Sequence, residues 1–437
     1  MKITLPFLIV FAFILAGCTG RASPASPTVN ATQVFQNALL TAAVDIGERT
    51  EQTTATPFTA EPSDTLVPPT VKPSATPIPP TPTPRKLGPA PTLAAAFTSP
   101  LLDPWAGTPH TYISDTCQYL KMKWDPNNSV PGTVVMPIMF HSITDDSLPL
   151  AQDTDIHHSD LVILLKHAAD LGYKTVTTQQ LVNFLYHNAK IPMKSIFLIV
   201  DDRRPGVFKL AFGPFLEKYH WTLTLAWPVA DTDSKPASNV QDETFTSLWQ
   251  QMEAYAATGY IDMQSHGYIH NINIDNNSTD AFIDHEMIDS HTVLNQHFYC
   301  KDFKTGQPIP NCTSTQPLAY IWPGGGFSKR GAEIGRTAGY QIGFTINPRG
   351  PVMFNWIPQS DAYDPRYPAL IPEGPAVDPL MTLPRYWPQN AAEKMDNLLD
   401  ISRQAAAYAA QNKDTELTYY DIKCADKLGP IPTAKPK

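Results

Sequence analysis

The chain has 437 residues, 44 of them proline, with 32 basic against 41 acidic side chains and a formal net charge of −9. That balance speaks against nucleic acid or an anionic lipid surface as a partner. The length suffices for one large domain with its own core, and no internal repeat divides it.

The first residues read as an export signal, because Lys2 precedes an apolar stretch that ends in Leu15-Ala16-Gly17-Cys18 and is too short to span a bilayer as a mature anchor. This "LAGC" ending resembles the bacterial lipobox. The resemblance implies that residues 1–18 are a lipoprotein signal and that Cys18 is lipidated, holding the protein outside the cytoplasm at the membrane or cell surface without a spanning helix. Residues 19–110 are rich in Pro, Thr and Ser and poor in large apolar groups, so they are expected to form a disordered, extended linker. Within it, residues 31–49 have a helical pattern, but a single unpartnered helix is marginal in water.

Export permits disulfides. Setting Cys18 aside leaves Cys117, Cys300, Cys312 and Cys424, none with zinc-finger spacing. Cys300 and Cys312 bracket a Gly/Pro-containing loop that a bridge would close, which suggests Cys117 with Cys424; the sequence alone permits three pairings.

From 111 to 437 apolar β-branched runs alternate with stretches of helical period. "TVVMPIMF" reads as a strand and "HHSDLVILLKHAADLGY" as a helix with Leu161, Leu164, Leu165 and Ala168 on one face. Next come the strand "KTVTT", the helix "QQLVNFLYHN", and the fully apolar strand "SIFLIV", which ends at Asp201. "VFKLAFGPFLEKYH" leads to "WTLTLAWPV", "FTSLWQQMEAYAATG" to "YIDMQS", a helix over 279–298 to "LAYIWP", and "KRGAEIGRTAGY" to "QIGFTI". Such alternation predicts an α/β fold with a parallel sheet and outer helices, and at this length closure into a barrel. In barrels of this kind chemistry gathers at the C-terminal strand ends.

Those ends carry the informative residues. "PIMF" runs into His141, "FLIV" into Asp201 and Asp202, "IDMQS" into His266 with His270 behind it, and "AYIWP" into Gly324-Gly325-Gly326. Two histidines four residues apart share one side of a helical turn, and with a carboxylate they commonly hold zinc while leaving a position open. Adjacent aspartates repel unless a cation neutralises one of them.

The segments "SIFLIVDD", "MQSHGYIH" and "AYIWPGG" resemble the signatures of the polysaccharide deacetylase (NodB-homology) family. "VMPIMFHSI", the 157–185 segment and "LPRY" resemble its poly-N-acetylglucosamine deacetylase subgroup, in which a histidine motif precedes the aspartates. The resemblance covers nearly all of residues 133–387 and implies a distorted (β/α) barrel that removes N-acetyl groups, through a divalent metal with zinc expected, from an N-acetylglucosamine-containing polysaccharide. It implies Asp202, His266 and His270 as metal ligands, Asp201 as general base, His141 as general acid and Arg385 as the group that keeps Asp201 ionised. A tetrahedral oxyanion would call for a donor, for which a backbone N–H near Gly324 is the candidate, and Trp322, Trp356 and Trp387 are candidates either for sugar-stacking faces or for core and loop packing. An O-acetyl carbohydrate esterase on the same site and a non-catalytic carbohydrate-binding lipoprotein are the alternatives. The chain departs from the family pattern at Arg203, where glycine is usual, at Val200, at Ile321, where an arginine is usual, and at Gly324.

Overall fold

The computed structural model describes residues 88–433, apart from 107, 231, 233–244, 270, 271, 369, 375 and 376. The expected signal peptide, Cys18 and the linker as far as residue 87 lie outside the described residues.

Seven parallel strands form the main sheet: β1 (Val134–Phe140), β2 (Lys174–Thr175), β3 (Lys194–Asp201), β4 (Leu223–Trp227), β5 (Ile261–Ser265), β6 (Ala319–Ile321) and β7 (Ile342–Phe344). They run in the order β1-β3-β4-β5-β6-β7, with β2 also paired to β3. Continuous apolar runs suit strands covered on both faces, and β1 is buried from end to end. Phe197 and Phe344 stack inside the curl with ring centroids 5.2 Å apart, in a cluster that includes Val135, Ile199, Ile321 and Leu383.

The open side of the curl is bridged by the segment around "TLPRY". Leu383 pairs in parallel with Phe344, and Tyr386 with Ile138, so this stretch lies as a stave between β7 and β1. Pro137, which has no N–H to give a ladder, faces this seam, where its carbonyl accepts from the Tyr386 N–H at 2.7 Å. The distorted (β/α) barrel expected from the sequence is thus the fold observed.

The outer layer includes α1 (Thr116–Trp124), α2 (His158–Asp170), α3 (Thr178–His187), α4 (Leu248–Ala257), α5 (the successive turns Asp280–Asp284, His285–Asp289, Ser290–Leu294 and Asn295–Tyr299), α6 (Lys329–Ala338) and α7 (Ala391–Lys423), with shorter helical turns such as Gly213–Tyr219 between β3 and β4. Helix α2 buries Leu161, Leu164, Leu165 and Ala168, the face that its periodicity predicts. Helix α3 opens on a reciprocal capping box between Thr177 and Gln180. Two disulfides, Cys117–Cys424 and Cys300–Cys312, match the suggested pairing, and the first ties α1 to the end of α7.

The predicted linker boundary at residue 110 is corrected. Leu102 and Ala106 are buried, Trp356 donates to the Phe97 carbonyl at 2.9 Å, and His110 bridges to Ile357. Composition misled here because a few apolar anchors in a Pro-rich stretch suffice once a preformed surface receives them.

Candidate active site

Because the strands are parallel, their C-terminal ends share one rim, and the register keeps them level: Asp201 pairs with Ala226, and Ser265 with both Trp227 and Tyr320. Each strand therefore delivers its next residue to the same mouth.

Asp201, the last residue of β3, is almost wholly buried. Nη1 of Arg385 lies 2.7 and 2.9 Å from its two carboxylate oxygens, while Nε of Arg385 donates to the Thr345 carbonyl at 2.7 Å. Burial alone would raise the Asp201 pKa, but Arg385, His266 and His141 outweigh it and hold the carboxyl below its ordinary value. His141 Nε2 stands 3.7 Å from Asp201 Oδ2. Burial pushes this imidazole below its usual pKa, with Asp201 opposing and Arg385 adding to the shift, so the ring is neutral near pH 7.

Asp202 takes the left-handed conformation, φ 70°, which an aspartate tolerates better than most side chains. The strained step falls on Asp202, so the next position does not need glycine, and Arg203 turns aside to donate to the Ala230 carbonyl. Arg204 bridges Ser142 Oγ at 2.6 Å and Asp202 Oδ2 at 3.2 Å, joining the His141 loop to the aspartate turn. Sequence reasoning passed over Arg204; a second arginine directly behind paired carboxylates was the available signal.

His266 is buried, and its Nε2 lies 3.5 Å from Asp202 Oδ1. Its Nδ1 lies 2.7 Å from the Ile321 carbonyl, so the neutral ring carries its proton on Nδ1, and Nε2 is the nitrogen turned toward the rim. Burial works against a charged ring here, yet Asp202 and Asp201 reverse the balance and raise its pKa. An anionic pair facing an oriented imidazole nitrogen fits a divalent cation. His270, the third expected ligand, lies outside the described residues, and among the described residues there is no cluster of three or more such ligands.

Gly324 is exposed at the rim with φ 58°, and Asn273 packs where a side chain at Gly324 would stand. Trp322 is corrected as a substrate contact: it is fully buried, donates to the Met381 carbonyl at 2.7 Å and packs among Tyr320, Phe327 and Ile274. Trp356 is buried as well; Trp387, half-buried and bonded to the Ile346 carbonyl, is the tryptophan of the three that retains some exposure. The family arginine position held by Ile321 contributes a core side chain and the carbonyl that orients His266, while the arginine beside Asp201 comes from the closing stave. A cavity of about 390 Å³ beside the N-terminal end of β1 is lined by Trp356 but by none of the residues gathered at the rim.

No family model matches the chain. It is 22% identical over 233 residues to the poly-β-1,6-N-acetyl-D-glucosamine N-deacetylases of Escherichia coli O157:H7 and of strain K12, a match covering 49% of this chain and 34% of each relative. The match thus spans about a third of the length of those relatives. Among solved structures it is similar to the Streptococcus pyogenes deacetylase PplD (TM-score 0.44, 20% identity, 61% of this chain and 98% of that one). It is also similar to a de-N-acetylase from Aggregatibacter actinomycetemcomitans (TM-score 0.43, 14% identity, 61% and 99%). The sequence matches bear out the resemblance carried by the strand-end motifs.

Proposed function

We propose that this chain, a member of the polysaccharide deacetylase family, hydrolyses N-acetyl amides on an N-acetylglucosamine-containing polysaccharide, working at the cell surface from a lipid anchor on Cys18. The observation that carries the reading is the convergence of the Asp201–Arg385 pair, His141, Asp202 and His266 at one rim. The names of the curated relatives support the substrate class.

Asp202 and His266 would hold the metal, with His270 as the third ligand expected from the sequence. Zinc held there would polarise the acetyl carbonyl and lower the pKa of a water. Asp201, kept ionised by Arg385, would take the proton of the attacking water. His141 rests neutral, so the proton that Asp201 Oδ2 accepts is the one His141 Nε2 relays to the departing amine. One proton leaves the water and one reaches the sugar nitrogen, without which that nitrogen leaves poorly. The exposed, tightly turned backbone at Gly324 is the candidate donor to the oxyanion.

The test is acetate release from poly-β-1,6-N-acetylglucosamine and from an O-acetylated xylan, with and without chelator. Chelator-sensitive release from the aminoglycan supports the reading. Release from the xylan alone would make the protein an esterase, and release from neither, at any zinc concentration, would make it a non-catalytic carbohydrate-binding protein.

A further inference from the structure

The turn that carries His266 is gripped from behind by a buried carboxylate that the proposed chemistry leaves unused. Glu286 on α5 is fully buried. Its Oε2 accepts from the Tyr268 N–H at 2.8 Å and the Ile269 N–H at 3.1 Å, and its Oε1 from the Ile269 N–H at 3.2 Å. These are consecutive backbone donors inside "HGYIH", between the two expected ligands. Consecutive N–H groups form a natural anion cradle, and a carboxylate bonded to them is stronger and more directional than a neutral acceptor.

The local sequence makes room for this contact. Gly267 has φ +84°, and a Cβ there would come within 2.6 Å of Glu286 Oε2 and 3.1 Å of the Tyr320 hydroxyl. Glycine is therefore needed both for the turn and for the approach of the carboxylate. Glu286 is itself held by a chain of hydroxyls: its own carbonyl accepts from Ser290 Oγ at 2.6 Å, and Ser290 Oγ lies 3.0 Å from Ser265 Oγ at the end of β5 and 3.0 Å from the Tyr340 hydroxyl. The Ser265 hydroxyl in turn accepts from the Gly267 N–H at 3.2 Å. The Glu286 turn is a π turn, a wider coil than its α-helical neighbours.

We propose that Glu286 is a positioning residue for the metal site, presetting the backbone between His266 and His270 so that the turn is formed before the ion arrives. The proposal rests on the metal reading above. Without the carboxylate, two half-buried N–H groups lose their acceptor, and the turn re-forms to satisfy them at the expense of its ligand geometry.

The experiment is the zinc affinity of the full chain, measured by competition with a chromophoric chelator well below each variant's unfolding midpoint. Glu286→Gln keeps a carbonyl oxygen where Oε2 sits and is expected to bind zinc within about threefold of the wild type, whereas Glu286→Ala and Glu286→Asp are expected to bind roughly 10–100-fold more weakly. Glu286→Asp retains the charge but not the reach, so it decides the matter if Glu286→Ala does not fold. Folded Ala or Asp variants with wild-type affinity and only a lowered melting temperature would reduce Glu286 to a structural role and overturn the proposal. A wild-type chain that holds no zinc would sink the metal site itself, whereas wild-type binding that the variants share would sink the role of Glu286 alone.

Discussion

Arg385 and Asp201, 184 positions apart in the sequence, meet where neither side chain reaches solvent: Arg385 Nη1 lies 2.7 and 2.9 Å from the two carboxylate oxygens. The contact joins the end of β3 to the stave that closes the barrel, so closure of the fold and ionisation of the proposed base depend on one pair.

Arg385 depresses the Asp201 pKa, so removing the guanidinium raises it. The base is competent only when ionised, and the acidic limb of kcat/KM therefore moves to higher pH in Arg385→Met. Loss of one partner also leaves a buried charge uncompensated, at a cost of about 3–5 kcal/mol in stability. A pH–rate profile beside a melting curve checks both. An unshifted acidic limb in a folded variant removes Arg385 from the chemistry.

His141→Ala separates attack from departure. An amide needs its leaving nitrogen protonated, and general acid catalysis contributes roughly 10²–10⁴-fold, so kcat on the aminoglycan should fall by that order. Acetate release from 4-nitrophenyl acetate, whose leaving group departs without a proton, should fall far less. Equal losses on both substrates would place His141 in binding or orientation.

Stability at low pH should hinge on a buried ion pair remote from the chemistry. Arg349 donates to Asp364 Oδ2 at 2.8 Å with both side chains buried, and Arg366 binds the same carboxylate. Arg366 most of all, with Arg349 adding to it and burial opposing, holds the Asp364 pKa below its unfolded value of about 3.9. A depressed folded pKa means stability that is present above the unfolded value and lost as pH falls through the folded one. Melting temperature measured from pH 7 to pH 3 should therefore drop below about pH 4 in the wild type. Asp364→Asn should start lower and show a shallower acid slope. An identical slope would deny the pair its role.

The Cys117–Cys424 bridge closes a loop with a sequence separation of 307, far from the rim. Replacing both cysteines by serine should lower stability by roughly 3–5 kcal/mol by releasing unfolded-chain entropy, and leave zinc affinity unchanged. A variant that loses zinc at temperatures where it remains folded would show that the two ends of the barrel are coupled.

The parts of this protein that are legible in the sequence are those with period or punctuation. Apolar runs broken by Asp201, His266 and His141 announced strand ends, and parallel topology did the rest. The segment of Leu383 and Tyr386 was singled out for Arg385 but not as a stave, because it makes isolated bridges rather than a ladder, and no alternation is needed for that. Glu286 was passed over although a signal existed: it lies on the same stripe as Ile283, Met287, Ser290 and Leu294, and an acid on a buried stripe calls for a partner. Trp322 was misjudged because an aromatic beside a glycine-rich rim has the same sequence appearance whether it faces sugar or core.

The central claim is that Asp202 and His266 grip one divalent cation. Anomalous scattering at the zinc edge from crystals of the full chain grown with zinc tests it directly. The account predicts a single peak about 2.0–2.2 Å from an Asp202 carboxylate oxygen and from His266 Nε2. Density at that rim with no peak between the two residues, or a peak bound only elsewhere on the molecule, would contradict it.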